Sequence, residues 1–267
     1  MLHVSKLNDI NIKPIKIDNI DKTKIRGFKL FPELYSNIFI CARKKMGKTT
    51  VIWNILRNCV GRDTKLVIFA ATVHKDPTYK HIVKHFAEKG NEITLFTSIK
   101  DGKTDNLNEF VESLRQPEEL SESKEEDQMP FIIVDDEQTK EKKPRKEKLM
   151  SPEIIFIFDD LSKELQSNAI SMLLKSNRHY KSKVILSSQY IHDLKPESIL
   201  QLDYLLLFGN ITKDKIEIIH NRTDLSISLM NFEGLYEFAT REQYSFLYVD
   251  TVNNSYRMKF NKNLVIK

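Results

Sequence analysis

Asn37-Ile-Phe-Ile-Cys41-Ala42-Arg43-Lys44-Lys45-Met46-Gly47-Lys48-Thr49-Thr50 runs from an apolar stretch through a basic loop into a helical pattern of Val51, Ile52, Ile55, Leu56 and Val60. From Ala42 onward the spacing is [Gly/Ala]-x4-Gly-Lys-[Ser/Thr], that of a phosphate-binding P-loop. Position matters as much as the string. Between a buried strand and a helix, successive backbone N–H groups and the helix N-terminus can wrap a polyphosphate. On this reading residues Ala42 to Thr50 bind ATP, Lys48 reaches the β- and γ-phosphates, and the Thr49 hydroxyl ligates Mg²⁺. Two features depart from the usual pattern: Ala42 replaces the first glycine, and Arg43-Lys44-Lys45-Met46 fills a loop where small residues are common. A lysine-rich turn with no ligand is the plainer alternative.

A P-loop needs a carboxylate for its metal at the end of a neighbouring buried strand. Two stretches offer one: Phe131-Ile-Ile-Val-Asp135-Asp136 and Ile154-Ile-Phe-Ile-Phe-Asp159-Asp160. The second has the longer apolar run and is followed by a patterned helix and another strand, so it is preferred. Asp159 then holds the water shell of Mg²⁺, and Asp160 polarises the attacking water. The next strand, Lys183–Leu186, runs into Ser187-Ser188-Gln189, which puts Gln189 where a polar side chain can sit beside the γ-phosphate.

Working outward, apolar runs alternate with helical periodicity. Strands are expected at Asn37–Cys41, Lys65–Ala70, Glu92–Phe96, Ile154–Phe158, Lys183–Leu186 and Tyr204–Phe208, with a terminal hairpin of Ser245–Asp250 and Tyr256–Phe260. Helices are expected around Val51–Val60, Tyr79–Phe86, Leu107–Leu114 and Leu165–Leu174. Continuous apolar strands separated by helices indicate an α/β fold: a three-layer P-loop NTPase domain with a mostly parallel central sheet and a C-terminal β-hairpin. Residues 1–267 read as a single domain.

The chain carries 42 Lys+Arg against 37 Asp+Glu, a formal charge of +5. Residues 116–150 hold eleven acidic and seven basic residues, a balance of −4 that leaves +9 on the rest. That charged, low-complexity segment reads as a surface insertion unable to bury enough apolar area to offset chain entropy. The basic remainder suggests an anionic partner, nucleic acid first, gripped through its phosphates with Lys181 and Lys183 among the contacts. Two cysteines, Cys41 and Cys59, suit a reducing compartment. No apolar run reaches the roughly 18 residues of a membrane span, and the first residues lack a secretory h-region. A cytoplasmic location is the expectation.

Ala42–Thr50, Phe156-Ile-Phe-Asp159-Asp160, Arg178-His179 and Ser188-Gln189 together resemble the poxvirus-type genome-packaging ATPases of the FtsK–HerA superfamily, found in large nucleocytoplasmic DNA viruses and virophages. The resemblance covers roughly residues 35–260. It implies a ring-forming homo-oligomer that hydrolyses ATP to drive double-stranded DNA into a preformed capsid, with a capsid or portal-vertex protein as a further partner. It also implies a location in the host cytoplasm, the viral factory or the virion. Two expected strands, Lys65–Ala70 and Glu92–Phe96, lie in sequence between the P-loop and Asp159, which suits ATPases that place an extra strand between the two motif strands and use a second acidic residue as base. In ring ATPases an arginine can act on the nucleotide of a neighbouring subunit; Arg178 is the candidate here, with Arg43 as its rival in cis. A P-loop small-molecule kinase is the alternative function.

Two further patterns carry less. Thr212-Lys213-Asp214 sits where a GTPase reads guanine, but residue 215 is Lys rather than the required Asp. His81 and His85 share one helix face and read as solvated rather than metal-binding. Trp53 reads as core packing and Cys41 as buried filler.

Overall fold

The computed structural model describes residues 21–102, 104–122 and 149–266, with the backbone alone for 115–122. In chain order the elements are β1 (Asn37–Cys41), α1 (Lys48–Cys59), β2 (Lys65–Ala70), α2 (Pro77–Glu88), β3 (Ile93–Phe96), β4 (Lys100–Asp101), β5 (Thr104–Asp105) and α3 (Asn106–Glu122). After the charged segment come β6 (Ile154–Asp159), α4 (Asn168–Ser176), β7 (Ser182–Ser188), α5 (Pro196–Ile199) and β8 (Tyr204–Phe208). The chain ends with α6 (Lys213–Arg222), α7 (Leu229–Ala239), β9 (Phe246–Asp250), β10 (Ser255–Met258) and β11 (Lys262–Leu264).

Nine strands form one sheet in the order β11-β10-β9-β8-β1-β7-β6-β2-β3. The run from β8 to β3 is parallel throughout, and β9, β10 and β11 close it antiparallel. The expected mostly parallel sheet is therefore present. The inner strands β1, β6, β7 and β8 are buried along their whole length because helices cover both faces. One face packs Ile38, Ile40, Ile155, Ile157 and Ile185 under α1 and α2. The other packs Phe39, Phe156, Phe158, Leu186 and Leu205 under α3 to α7. A single strand, β7, lies between the P-loop strand β1 and the aspartate strand β6.

The expected C-terminal hairpin is present as β9 and β10; its second strand ends at Met258, and a further strand, β11, pairs with it and extends the hairpin to a three-strand meander. Lys262 and Asn263 are exposed, so this edge strand lacks the apolar alternation that marks the others. The backbone of α3 continues to Glu122, so the first residues of the 116–150 segment are helical; glutamate and leucine favour helix regardless of charge. The rest of that segment through Lys148, with the Phe131–Asp136 candidate strand, lies outside the described residues.

One expectation needs correction, that for Lys183. It points into the fold instead of toward nucleic acid: it is 1% exposed, and its ammonium donates to the Glu33 carbonyl at 2.9 Å and to Ser36 Oγ at 2.6 Å. The same ammonium lies 5.4 Å from the centre of the Phe31 ring. Burial lowers its pKa from the ordinary lysine value. Lys183 thus clamps the segment before β1 onto the sheet, where Phe31 packs against Tyr204, Tyr248 and Phe260. Lys181 is exposed and pairs with Glu153 at 2.9 Å.

Candidate active site

The loop between β1 and α1 is anchored at its first residue. The Ala42 N–H donates to the Ser188 carbonyl at 3.0 Å, which ties it to the end of β7. Arg43, Lys44 and Lys45 are exposed, and Lys45 and Gly47 both take left-handed backbone (φ 66° and 85°). Gly47 is the N-cap of α1 and brings no side-chain cap, so the first-turn N–H groups of Lys48, Thr49 and Thr50 have no capping partner. That is the geometry that favours an anion. Met46 is half-buried and packs beside Gly209, just past the end of β8.

Lys48 is buried at 8% exposure. Its ammonium lies 3.1 Å from Asp159 Oδ1 and is hydrogen-bonded to Asp160 Oδ1. Asp159 ends β6, one strand removed from the P-loop strand, Asp160 follows it, and their environments differ. Asp159 is buried, and its Oδ2 accepts a hydrogen bond from the Tyr79 hydroxyl at 2.8 Å. Its Oδ1 is buried and has no partner of good hydrogen-bond geometry, the 3.1 Å approach of Lys48 being an ionic contact only. Asp160 is exposed and left-handed (φ 54°), and its N–H donates to the Ser187 carbonyl at 3.3 Å. Burial, reinforced by the Asp159 charge, raises the Tyr79 phenol well above its ordinary pKa, so it stays a neutral donor.

These groups open on a cleft of about 820 Å³ lined by Lys44, Lys45, Gly47, Lys48, Thr49 and Thr50 on one side. Thr72, Asp76 and Thr78, at the start of α2, line the other, with Asp160 and Tyr244. The structure thus brings Gly47, Lys48, Thr49, Thr50, Asp159 and Asp160 together. Arg43 is exposed at the start of the same loop.

Gln189 and Arg178 lie elsewhere. Gln189 follows β7 beside β1, where its carbonyl accepts from Cys41 Sγ at 3.5 Å. It lines a separate narrow crevice with Cys41, Tyr190 and Ile219. Arg178 is exposed in the turn between α4 and β7, at the N-terminal edge of the sheet. The P-loop is at the C-terminal edge, and the seven residues of β7 separate the two edges by roughly 20 Å. Arg178 therefore does not reach the P-loop of its own chain. Its charge acts on Asp203, which burial raises above the ordinary carboxylate value against the opposing pull of the Asn37 N–H and of Arg178.

Tyr79 and Tyr244 escaped the sequence reading. Tyr79 sits at an apolar position of α2 with Ile82 and Phe86, a pattern that signals packing alone. Both cysteines are buried free thiols, and burial pushes Cys41 up to about 12, too high for a nucleophile. Trp53 is half-buried, with the edges of His81 and His85 against it. No cluster of metal-ligating side chains is present among the described residues, and no helix among them is long and apolar enough to cross a membrane.

No protein-family model matches the chain, and no curated protein does. Solved structures do. The genome packaging NTPase B204 from Sulfolobus turreted icosahedral virus 2 in complex with AMP matches 88% of this chain and 100% of its own, at 18% identity and a TM-score of 0.52. Its complex with AMPPCP matches over the same shares and at the same identity, with a TM-score of 0.51. B204 from Sulfolobus turreted icosahedral virus, described as a DNA-packaging ATPase, matches 87% of this chain and 98% of its own, at 16% identity and a TM-score of 0.50. At these identities the likeness establishes the fold.

Proposed function

We propose that this chain is an ATP-hydrolysing motor of the poxvirus-type, FtsK–HerA class that translocates double-stranded DNA and packages a viral genome. One observation carries the reading: a buried Lys48 ammonium held between Asp159 and Asp160 beneath the uncapped first turn of α1. A lone lysine-rich turn would have no reason to bury its lysine against two carboxylates, since each charge taken out of water is costly. An incoming polyphosphate competes with Asp160 for that ammonium and receives N–H donors from the loop. The fold shared with B204 and the +9 charge outside the 116–150 segment support the DNA part.

The residues divide the work as follows. Residues Ala42 to Thr50 cradle the phosphates, and Lys48 neutralises charge on the transferred group. Asp160, exposed at the cleft mouth, orients and deprotonates the attacking water. The donor set suits Mg²⁺, because Asp159 Oδ1 is buried without a hydrogen-bond donor and Thr49 lines the same cleft. Thr49 and Asp159 would hold that ion, which when bound neutralises charge on the β- and γ-phosphates. Gln189, tied through its carbonyl to the end of the P-loop strand, reports the state of the loop.

Arg178 acts in trans, on a nucleotide held by the neighbour in a homo-oligomeric ring; Arg43 is the residue that could act in cis. The single domain works in the host cytoplasm or viral factory, docked on a capsid or portal-vertex protein. The test is the rate of phosphate release from ATP with and without double-stranded DNA. A motor is stimulated by DNA. A small-molecule kinase is indifferent to it, and that outcome would shift the assignment to the kinase.

A further inference from the structure

Tyr244 precedes β9 and reaches back over the P-loop. A Cβ on Gly47 would stand 3.4 Å from Tyr244 Cδ1, so the ring covers the glycine that begins α1. Tyr244 is the one aromatic residue among the described residues that line the cleft, and it is 53% exposed. Its backbone is left-handed (φ 60°), which is uncommon and unfavourable for a bulky residue.

The surroundings hold it in that state. Ser245 Oγ donates to the Ala239 carbonyl at 2.6 Å, the Ser245 N–H donates to the Glu242 carbonyl at 3.1 Å, and Lys259 pairs with Glu242 at 3.1 Å. The loop from Thr240 to Ser245 is thus pinned at both ends, with its ring aimed at the cleft. Burial in a core does not explain such a ring. It has an exposed face, a strained backbone and a fixed position beside a phosphate loop.

We propose that Tyr244 is the platform on which the nucleobase stacks, an inference that rests on the nucleotide reading above. A flat ring next to a phosphate cradle offers a base the contact the phosphates cannot use. Such stacking is tolerant of base identity, because every base presents a π-face. Gly47 serves both halves of the site: its φ sets the cap of α1, and the Tyr244 ring lies against it.

The test compares Tyr244→Phe and Tyr244→Asn with the wild-type chain in binding two probes, a non-hydrolysable ATP analogue and inorganic tripolyphosphate, each with Mg²⁺, and a GTP analogue as a control for base identity. Asparagine tolerates left-handed backbone, so Tyr244→Asn removes the ring without forcing the loop. Tyr244→Asn is expected to weaken the ATP analogue about tenfold, to weaken a GTP analogue equally, and to leave tripolyphosphate unchanged. Tyr244→Phe keeps wild-type affinity for all three. An Asn variant that binds the ATP analogue as the wild type does, or that loses both probes alike, overturns the proposal. A wild-type chain that binds neither probe refutes the nucleotide reading itself.

Discussion

Replacing Tyr79 by Phe removes one oxygen atom, and the structure fixes what that costs. Asp159 is buried, its Oδ1 already lacks a hydrogen-bond donor, and its Oδ2 depends on the Tyr79 hydroxyl at 2.8 Å. Without that donor the carboxylate keeps only the Lys48 ammonium at 3.1 Å. Leaving a buried charged acceptor unsatisfied costs about 1–3 kcal/mol, while the ring itself still packs. For a chain of this size about 2 kcal/mol lowers Tm by roughly 4–8 °C. A second effect follows at the site. The freed carboxylate can rotate toward Lys48, so Mg²⁺-dependent ATP binding weakens while binding of ATP without Mg²⁺ does not. Thermal melts and calorimetric titrations with and without Mg²⁺ measure both effects. A Tyr79→Phe chain with unchanged Tm and unchanged Mg²⁺ dependence would show that Tyr79 neither supports nor orients Asp159.

Lys48→Ala is expected to abolish nucleotide binding, whereas Asp160→Asn binds ATP but hydrolyses it about 10²–10⁴-fold more slowly; equal binding defects in the two variants would remove Asp160 from the chemistry. Stability should fall as pH climbs past about 10. The folded chain holds Tyr79, Tyr204 and Tyr248 protonated above the ordinary tyrosine value, mainly through burial, so the unfolded chain loses those protons first. Melts between about pH 8 and 11 check this, each group contributing up to about 1.4 kcal/mol per pH unit and Tyr79→Phe flattening the slope. Mixing the inactive variants Arg178→Ala and Lys48→Ala should restore part of the ATPase rate, since a mixed ring pairs an intact P-loop with a neighbour's intact Arg178. Mixed rings that stay inactive would pass the role to Arg43.

The parts of the fold that the sequence made legible are those buried on both faces. β1, β2 and β8 match their expected limits because a central parallel strand is apolar along its length, so its ends coincide with the change in composition. Asp159 and Asp160, the carboxylates beside Lys48, could be singled out because they follow another such buried run, Ile154–Phe158. β11 could not, because an exposed edge strand needs no apolar pattern.

Lys183 was misread because charge on a sequence does not say which way a side chain points. Its partners, Glu33 and Ser36, lie about 150 positions away and only the fold brings them near. The limit on Arg178 was legible in principle. It precedes a parallel strand, the P-loop follows one, and parallel strands put those positions on opposite edges. Tyr79 and Tyr244 carry no local signal. One shares the periodicity of a packing helix, and the other is an aromatic residue in a loop, and each gains meaning only from Asp159 or Gly47 across the fold.

Movement along DNA is the central claim, and displacement of a fluorescent third strand from a triplex on linear duplex DNA measures it directly. The account predicts that the full chain displaces the third strand when ATP and Mg²⁺ are supplied, on duplexes of unrelated sequence, and that Lys48→Ala does not. A chain that hydrolyses ATP at full rate on the same DNA while the third strand stays bound would contradict it.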